Sequence, residues 1–159
     1  MKRVKLEINV DYCQINELSK DEAELAMAAA KATDNSYAKY SHFRVGAAVR
    51  LNNGHVIIGA NQENAAYPSG LCAERTAIFA AQANYPDQPI SCLAIAAADD
   101  HGLRGKPVSP CGACRQVILE IEDRYQQAVE ILLCGTEGVY RFKSVKDLLP
   151  FSFVDADMR

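Results

Sequence analysis

No apolar run in this sequence approaches the roughly 18 residues that a membrane-spanning helix needs, so no spanning segment is expected. Positive charge is not in excess either. Seventeen Lys and Arg stand against 20 Asp and Glu, a net charge of −3, which is not the basic footprint of a nucleic-acid-binding surface. After Met1-Lys2-Arg3-Val4 there is no apolar stretch or small-residue cleavage site, and a cytoplasmic protein is expected. No repeat, low-complexity tract or interdomain linker interrupts the 159 residues. At 49% hydrophobic and 23% charged, the composition is that of one globular domain large enough to bury a core without disulfide staples.

Cysteine is what the chain does have. Six in a chain of this kind argue for metal or catalysis over a disulfide framework. Cys92 and Cys134 lie in apolar runs and read as small buried hydrophobes. Nothing in the sequence assigns Cys13 a role. The other three fall in two short segments, Cys72-Ala73-Glu74 and Pro110-Cys111-Gly112-Ala113-Cys114.

The hydrophobic periodicity places these segments. Residues 3–10 alternate Val4, Leu6, Ile8 and Val10 with Arg3, Lys5, Glu7 and Asn9, a half-buried strand pattern. Ser19 and Glu22 form a capping box that opens an Ala-rich helix through about Thr33. Strands 45–51 and 55–60 flank Asn52-Asn53-Gly54, a hairpin turn. A helix from Cys72 to about Ala83 precedes an apolar strand at 91–98. A second helix starts near Gly112, strands follow at 129–134 and 139–142, and a short helix at 145–149 ends at Pro150. This order predicts an α/β protein, one mixed sheet with helices on its faces.

Both cysteine segments thus sit where a loop enters a helix, and the positive end of a helix favours thiolate over thiol. Three thiolates with an open fourth position are the catalytic form of a zinc site, whereas four ligands close a structural one. Glu74, two residues from Cys72, is placed to take a proton from water at such a site and return it to a leaving group. Three thiolates give Zn²⁺ a net charge of about −1. Arg75 is the first candidate to offset it and Arg115 a weaker one. Two other readings stay open on spacing alone. Cys111-Gly112-Ala113-Cys114 resembles a dithiol redox motif, although redox chemistry leaves Cys72 and Glu74 without a purpose. A structural zinc site would need a fourth ligand, from Cys92 or Cys134.

The zinc deaminases share a His-X-Glu…Pro-Cys-X-X-Cys signature in which cysteine can replace the histidine. With Cys72 in that position, the chain resembles the small, three-cysteine cytidine deaminases. The likeness extends to Tyr40–Ala48, Asn61–Tyr67, Cys72–Ala77, Ser109–Val117 and Leu148–Pro150. It implies a domain at residues 21–159 behind an extension at 1–20, a three-layer α/β/α fold around a mixed five-stranded sheet with its last two strands antiparallel, and one Zn²⁺ per subunit held by Cys72, Cys111 and Cys114. Glu74 would be catalytic and Arg75 would lie behind the thiolates. Phe43 would stack on the pyrimidine, the Ala73 N–H would bind O2, and Asn61 and Glu63 would hold the ribose. The family resemblance also implies a homotetramer in which Tyr67 and Phe153 act between subunits.

Relatives that deaminate nucleic acid join their last two strands by a helix and leave them parallel. Here only Gly135-Thr136-Glu137-Gly138 separates Cys134 from Val139, too short for a parallel crossover. Relatives that deaminate blasticidin lack the Asn-X-Glu pair. Both points favour a free nucleoside as substrate, with no nucleic-acid or membrane partner.

Overall fold

Two sets of alternating side chains on one sheet determine how the helices are layered. A computed structural model describes residues 1–159. Its strands are β1 (Asp11–Cys13), β2 (Arg44–Leu51), β3 (Val56–Ala60), β4 (Ile90–Asp99), β5 (Gly102–Leu103), β6 (Glu130–Gly135) and β7 (Gly138–Phe142). The helices are α1 (Lys20–Ala32), α2 (Ala73–Asn84) and α3 (Gly112–Tyr125). The sheet order is β1-β7-β6-β4-β2-β3, with β5 paired to the end of β4.

Along β2, Ala48 faces α1, where Leu25, Ala26 and Ala29 meet Ala94, Ala96 and Leu132. Its neighbours Ala47 and Val49 face the opposite side, against Ala77 and Ile78 of α2 and Ile118 of α3. This period-two alternation divides the core into two layers, one on each sheet face. The α/β/α expectation holds.

Local capping agrees with the sequence reading at α1. Ser19 Oγ accepts the Glu22 N–H while Glu22 Oε2 accepts the Ser19 N–H at 2.8 Å. β4 and β6 run parallel, joined by α3 as crossover, and every other pair is antiparallel. The four-residue link does make β6 and β7 an antiparallel pair, Cys134 opposite Val139.

Three expectations are corrected. The sheet has seven strands rather than five, because a strand at Gly102–Leu103 and an edge strand at Asp11–Cys13 join it. The first strand is also displaced from residues 3–10. Val4, Leu6, Ile8 and Val10 are all exposed, and the ladder on β7 begins only at Asp11 opposite Arg141. In this antiparallel register Val10 falls opposite Phe142, the last residue of β7, and residues 1–9 run past the end of that strand. Further along, the short helix expected at 145–149 is a single 3₁₀ turn, Val145–Asp147.

Candidate active site

α2 and α3 lie on the same face of the sheet, and the first turn of each carries part of the site. Cys72 and Cys111 are the N-cap residues of the two helices, and neither side chain caps its own helix. Their sulfurs are therefore free for another partner. Cys72 Sγ lies 3.9 Å from Cys111 Sγ, and these two and Cys114 Sγ all lie within 4.8 Å of one another. Tetrahedral zinc with Zn–S bonds of ~2.3 Å spaces its sulfurs by about 3.8 Å, so the cluster suits the ion. The exposure is graded, with Cys114 buried, Cys72 half-buried and Cys111 open.

No fourth cysteine completes the cluster. Cys92 and Cys134 pack beneath α1 on the opposite face of the sheet. Burial pushes the Cys134 thiol up to about 12 and raises Cys92 as well, as expected for inert core residues. Cys13, unassigned from sequence, packs against the same α1-side core.

The site thiols behave differently. The Cys72 thiol is drawn down to about 5, first by hydrogen bonding with Cys114, then by Arg75 and Cys111 against an opposing effect of burial. Cys114 is raised by the same contact with Cys72, by burial and by the nearby Glu74 charge. A bound cation would hold all three as thiolates.

Arg75 Nη2 donates to Cys72 Sγ at 3.4 Å, as the charge argument required. Its Nε is buried without a hydrogen-bond partner, so the guanidinium is held in place chiefly by the sulfurs. Arg115 serves another purpose, which corrects its reading as a second offsetting charge. Its Nε donates to Pro110 O at 2.9 Å and its Nη1 to Leu148 O at 2.7 Å, stapling the ligand loop to the C-terminal segment. Arg75→Ala should loosen zinc about 10- to 100-fold, by the usual weight of a group orienting metal ligands. Zinc retention against a chelator series checks this, and parental affinity would contradict it.

Glu74 is 5% exposed in the first turn of α2. Burial raises its carboxyl above the usual range, and the neighbouring Cys72 sulfur adds to the effect. A carboxylic acid held closer to neutrality is suited to receiving and returning a proton. Ala73, fully buried, is the first residue of α2, and helix geometry leaves its N–H without an intrahelical acceptor.

In front of Cys72 and Arg75 opens a cavity of about 550 Å³, within the range of small-molecule sites. Asn61, Glu63 and Tyr67 also line it; Phe43, Ala73, Glu74 and Phe153 are not among the lining residues. Asn61 is engaged with the backbone, its Oδ1 accepting the Val45 N–H at 2.7 Å and its Nδ2 donating to Phe43 O at 3.0 Å. Glu63 accepts the Tyr40 N–H at 2.7 Å, the Ser41 N–H at 3.3 Å and the Ser41 hydroxyl. The Ser41 hydroxyl is the first cause of a Glu63 carboxyl lowered below its ordinary range, and the Tyr40 N–H the second. Sequence reasoning missed Ser41. Tyr67 stands 78% exposed, edge-on to Tyr40 with ring centroids 6.2 Å apart, and Phe153 is 57% exposed.

Two adjoining helix starts that gather three cysteine sulfurs, with no fourth cysteine, would hold zinc and leave it one further position for water or substrate. By fold and site, the protein is a zinc-binding α/β enzyme. Comparison with known proteins makes the class specific. Residues 19–129 match the family model described as the cytidine and deoxycytidylate deaminase zinc-binding region, and the chain belongs to that family. It is 40% identical over 138 residues to a cytidine deaminase of Halalkalibacterium halodurans, covering 87% of this chain and 98% of that one. The crystal structure of a cytidine deaminase from Burkholderia pseudomallei matches with a TM-score of 0.70 at 40% identity, over 82% of this chain and 97% of that one. A Mycobacterium tuberculosis cytidine deaminase structure matches at 0.64 and 30% identity, over 86% and 99%.

Proposed function

We propose that this protein removes the 4-amino group of cytidine and 2′-deoxycytidine by hydrolysis, releasing ammonia and leaving uridine or 2′-deoxyuridine, a step of pyrimidine salvage. The reading is carried by the placement of Glu74, a buried carboxyl beside the Cys72, Cys111 and Cys114 cluster, whose Cys72 lines a cavity of small-molecule size. Zinc held by Cys72, Cys111 and Cys114, one ion per subunit, would supply Lewis-acid activation of water.

The protein's own residues do the rest. Glu74 protonates N3 of the pyrimidine as the oxygen of water adds to C4. It then carries the second proton of that water to the amine, so that the C4–N bond breaks and neutral ammonia leaves. The free Ala73 N–H holds O2 of the base and Phe43 stacks against its ring. Asn61 and Glu63 bind the sugar 3′-hydroxyl, which both donates and accepts.

The antiparallel β6–β7 pair and the Asn61–Glu63 pair favour a free nucleoside over a nucleic-acid base or a nucleoside antibiotic. We take residues 21–159 as the catalytic domain and 1–20 as an extension. No helix is long and apolar enough to cross a membrane. We take the protein to act in the cytoplasm on a free small molecule, with no membrane or nucleic-acid partner. The exposed Tyr67 and Phe153 side chains suit contacts between subunits of a homotetramer. Purified protein given cytidine, deoxycytidine and free cytosine should lose ultraviolet absorbance and release ammonia with the two nucleosides only. Zinc-loaded protein that turns over neither would refute the reading, and a monomer in sedimentation equilibrium would refute the assembly.

A further inference from the structure

The loop from Tyr40 to Phe43 has no regular structure, yet each of its four backbone N–H groups has a partner. Tyr40 and Ser41 donate to Glu63 Oε2 at 2.7 and 3.3 Å. His42 donates to Ala38 O at 3.0 Å and Phe43 to Ser41 Oγ at 3.0 Å. His42 holds a left-handed φ of 57°, uncommon for a side-chain-bearing residue, and such backbone persists where its surroundings over-determine it. At the centre of this arrangement is one hydroxyl. Ser41 Oγ donates to Glu63 Oε1 while it accepts from Phe43 N–H.

We propose that Ser41 is a positioning residue for nucleoside recognition, orienting the carboxylate that meets the sugar hydroxyl. The proposal rests on the cytidine deaminase reading above. A carboxylate offers about four acceptor positions. Three on Glu63 are taken by Tyr40 N–H, Ser41 N–H and Ser41 Oγ–H. One remains, on the oxygen that Ser41 orients, and it accepts one hydroxyl. Asn61, with Oδ1 and Nδ2 each already holding one backbone partner, retains one donor and one acceptor position. The pair is thus complementary to a single sugar hydroxyl, and Ser41 sets the direction of its acidic half.

The consequence is a dependence on the substrate's own hydroxyl. Ser41→Ala should raise the KM for cytidine about tenfold, the usual weight of one hydrogen bond to a charged group, with kcat within about twofold and zinc content unchanged. With 2′,3′-dideoxycytidine, which lacks the hydroxyl that Glu63 would meet, the same substitution should change kcat/KM by less than about twofold. Ser41→Thr, which keeps the donor, should restore the cytidine KM to within about threefold of the parent. Should S41A fail to fold, Ser41→Cys keeps the size, weakens the donor and serves in the same comparison. Equal losses on both substrates would make Ser41 a merely structural residue and overturn the proposal, as would an unchanged cytidine KM. Parent protein inactive on cytidine would instead sink the deaminase reading itself, before any variant is compared.

Discussion

Glu74→Gln should keep its zinc and lose turnover by about 10²- to 10⁴-fold, the range that a general acid–base group contributes. The side chain is 5% exposed, and burial already favours its neutral form, so a neutral amide of the same shape fits the space at little cost to folding. What glutamine lacks is an oxygen that can take up a proton and return it. Chemistry is lost while geometry is kept. Metal analysis alongside the ultraviolet assay separates the two, and a variant with normal zinc and near-normal rates would remove Glu74 from the mechanism.

The second large effect is on folding. Gly59→Ala should lower stability by about 3 kcal/mol, the upper part of the range for overpacking, and the melting temperature by about 10 °C. A Cβ at position 59 would lie 2.4 Å from both Ala73 O and Ala77 N. Those are backbone atoms of the first turns of α2, so no side chain can rotate out of the way. Relief requires β3 and α2 to move apart, and α2 begins at Ala73, between Cys72 and Glu74. Zinc retention should therefore weaken together with stability. Gly112→Ala is the control: that glycine adjoins Cys111 but has open space where its Cβ would lie, and the variant's melting temperature should stay close to the parent's. A thermal melt of G59A at the parental temperature would contradict the close packing.

Much of this was legible in the sequence because the signals were local. The Ser19–Glu22 capping box, the Asn52-Asn53-Gly54 turn and the short link after Cys134 each act over a few residues. Each produced the expected element. Cys72, Cys111 and Cys114 were readable as a group since two helix starts deliver them, and periodicity locates helix starts.

What escaped depended on partners distant in the chain. Residues 3–10 have a strand pattern, but the end of β7 decides which residues find a partner. Gly102–Leu103 becomes a strand only because β4 extends to Asp99 and offers it an edge. Arg115 directly follows Cys114, closer in sequence to a site cysteine than Arg75 is to Cys72, and only the position of Leu148, 33 residues away, shows that it holds carbonyls. Ser41 looked like any polar loop residue. Its meaning lies with Glu63, 22 positions later, although its place between Tyr40 and Phe43 was a usable signal.

The separation of the ligands has a consequence beyond chemistry. Cys72 and Cys111 stand 39 positions apart, and the chain between them contains all of α2 and β4. An ion that joins them closes a loop around the central strand of the sheet. Loop closure restricts the unfolded chain as a covalent cross-link would, and metal affinity for the native state adds directly to folding free energy. The cofactor is thereby a clasp on the polypeptide. Its loss would open the middle of the sheet to unfolding and proteolysis, so the cell's supply of metal would govern how long each molecule lasts as well as how fast it works.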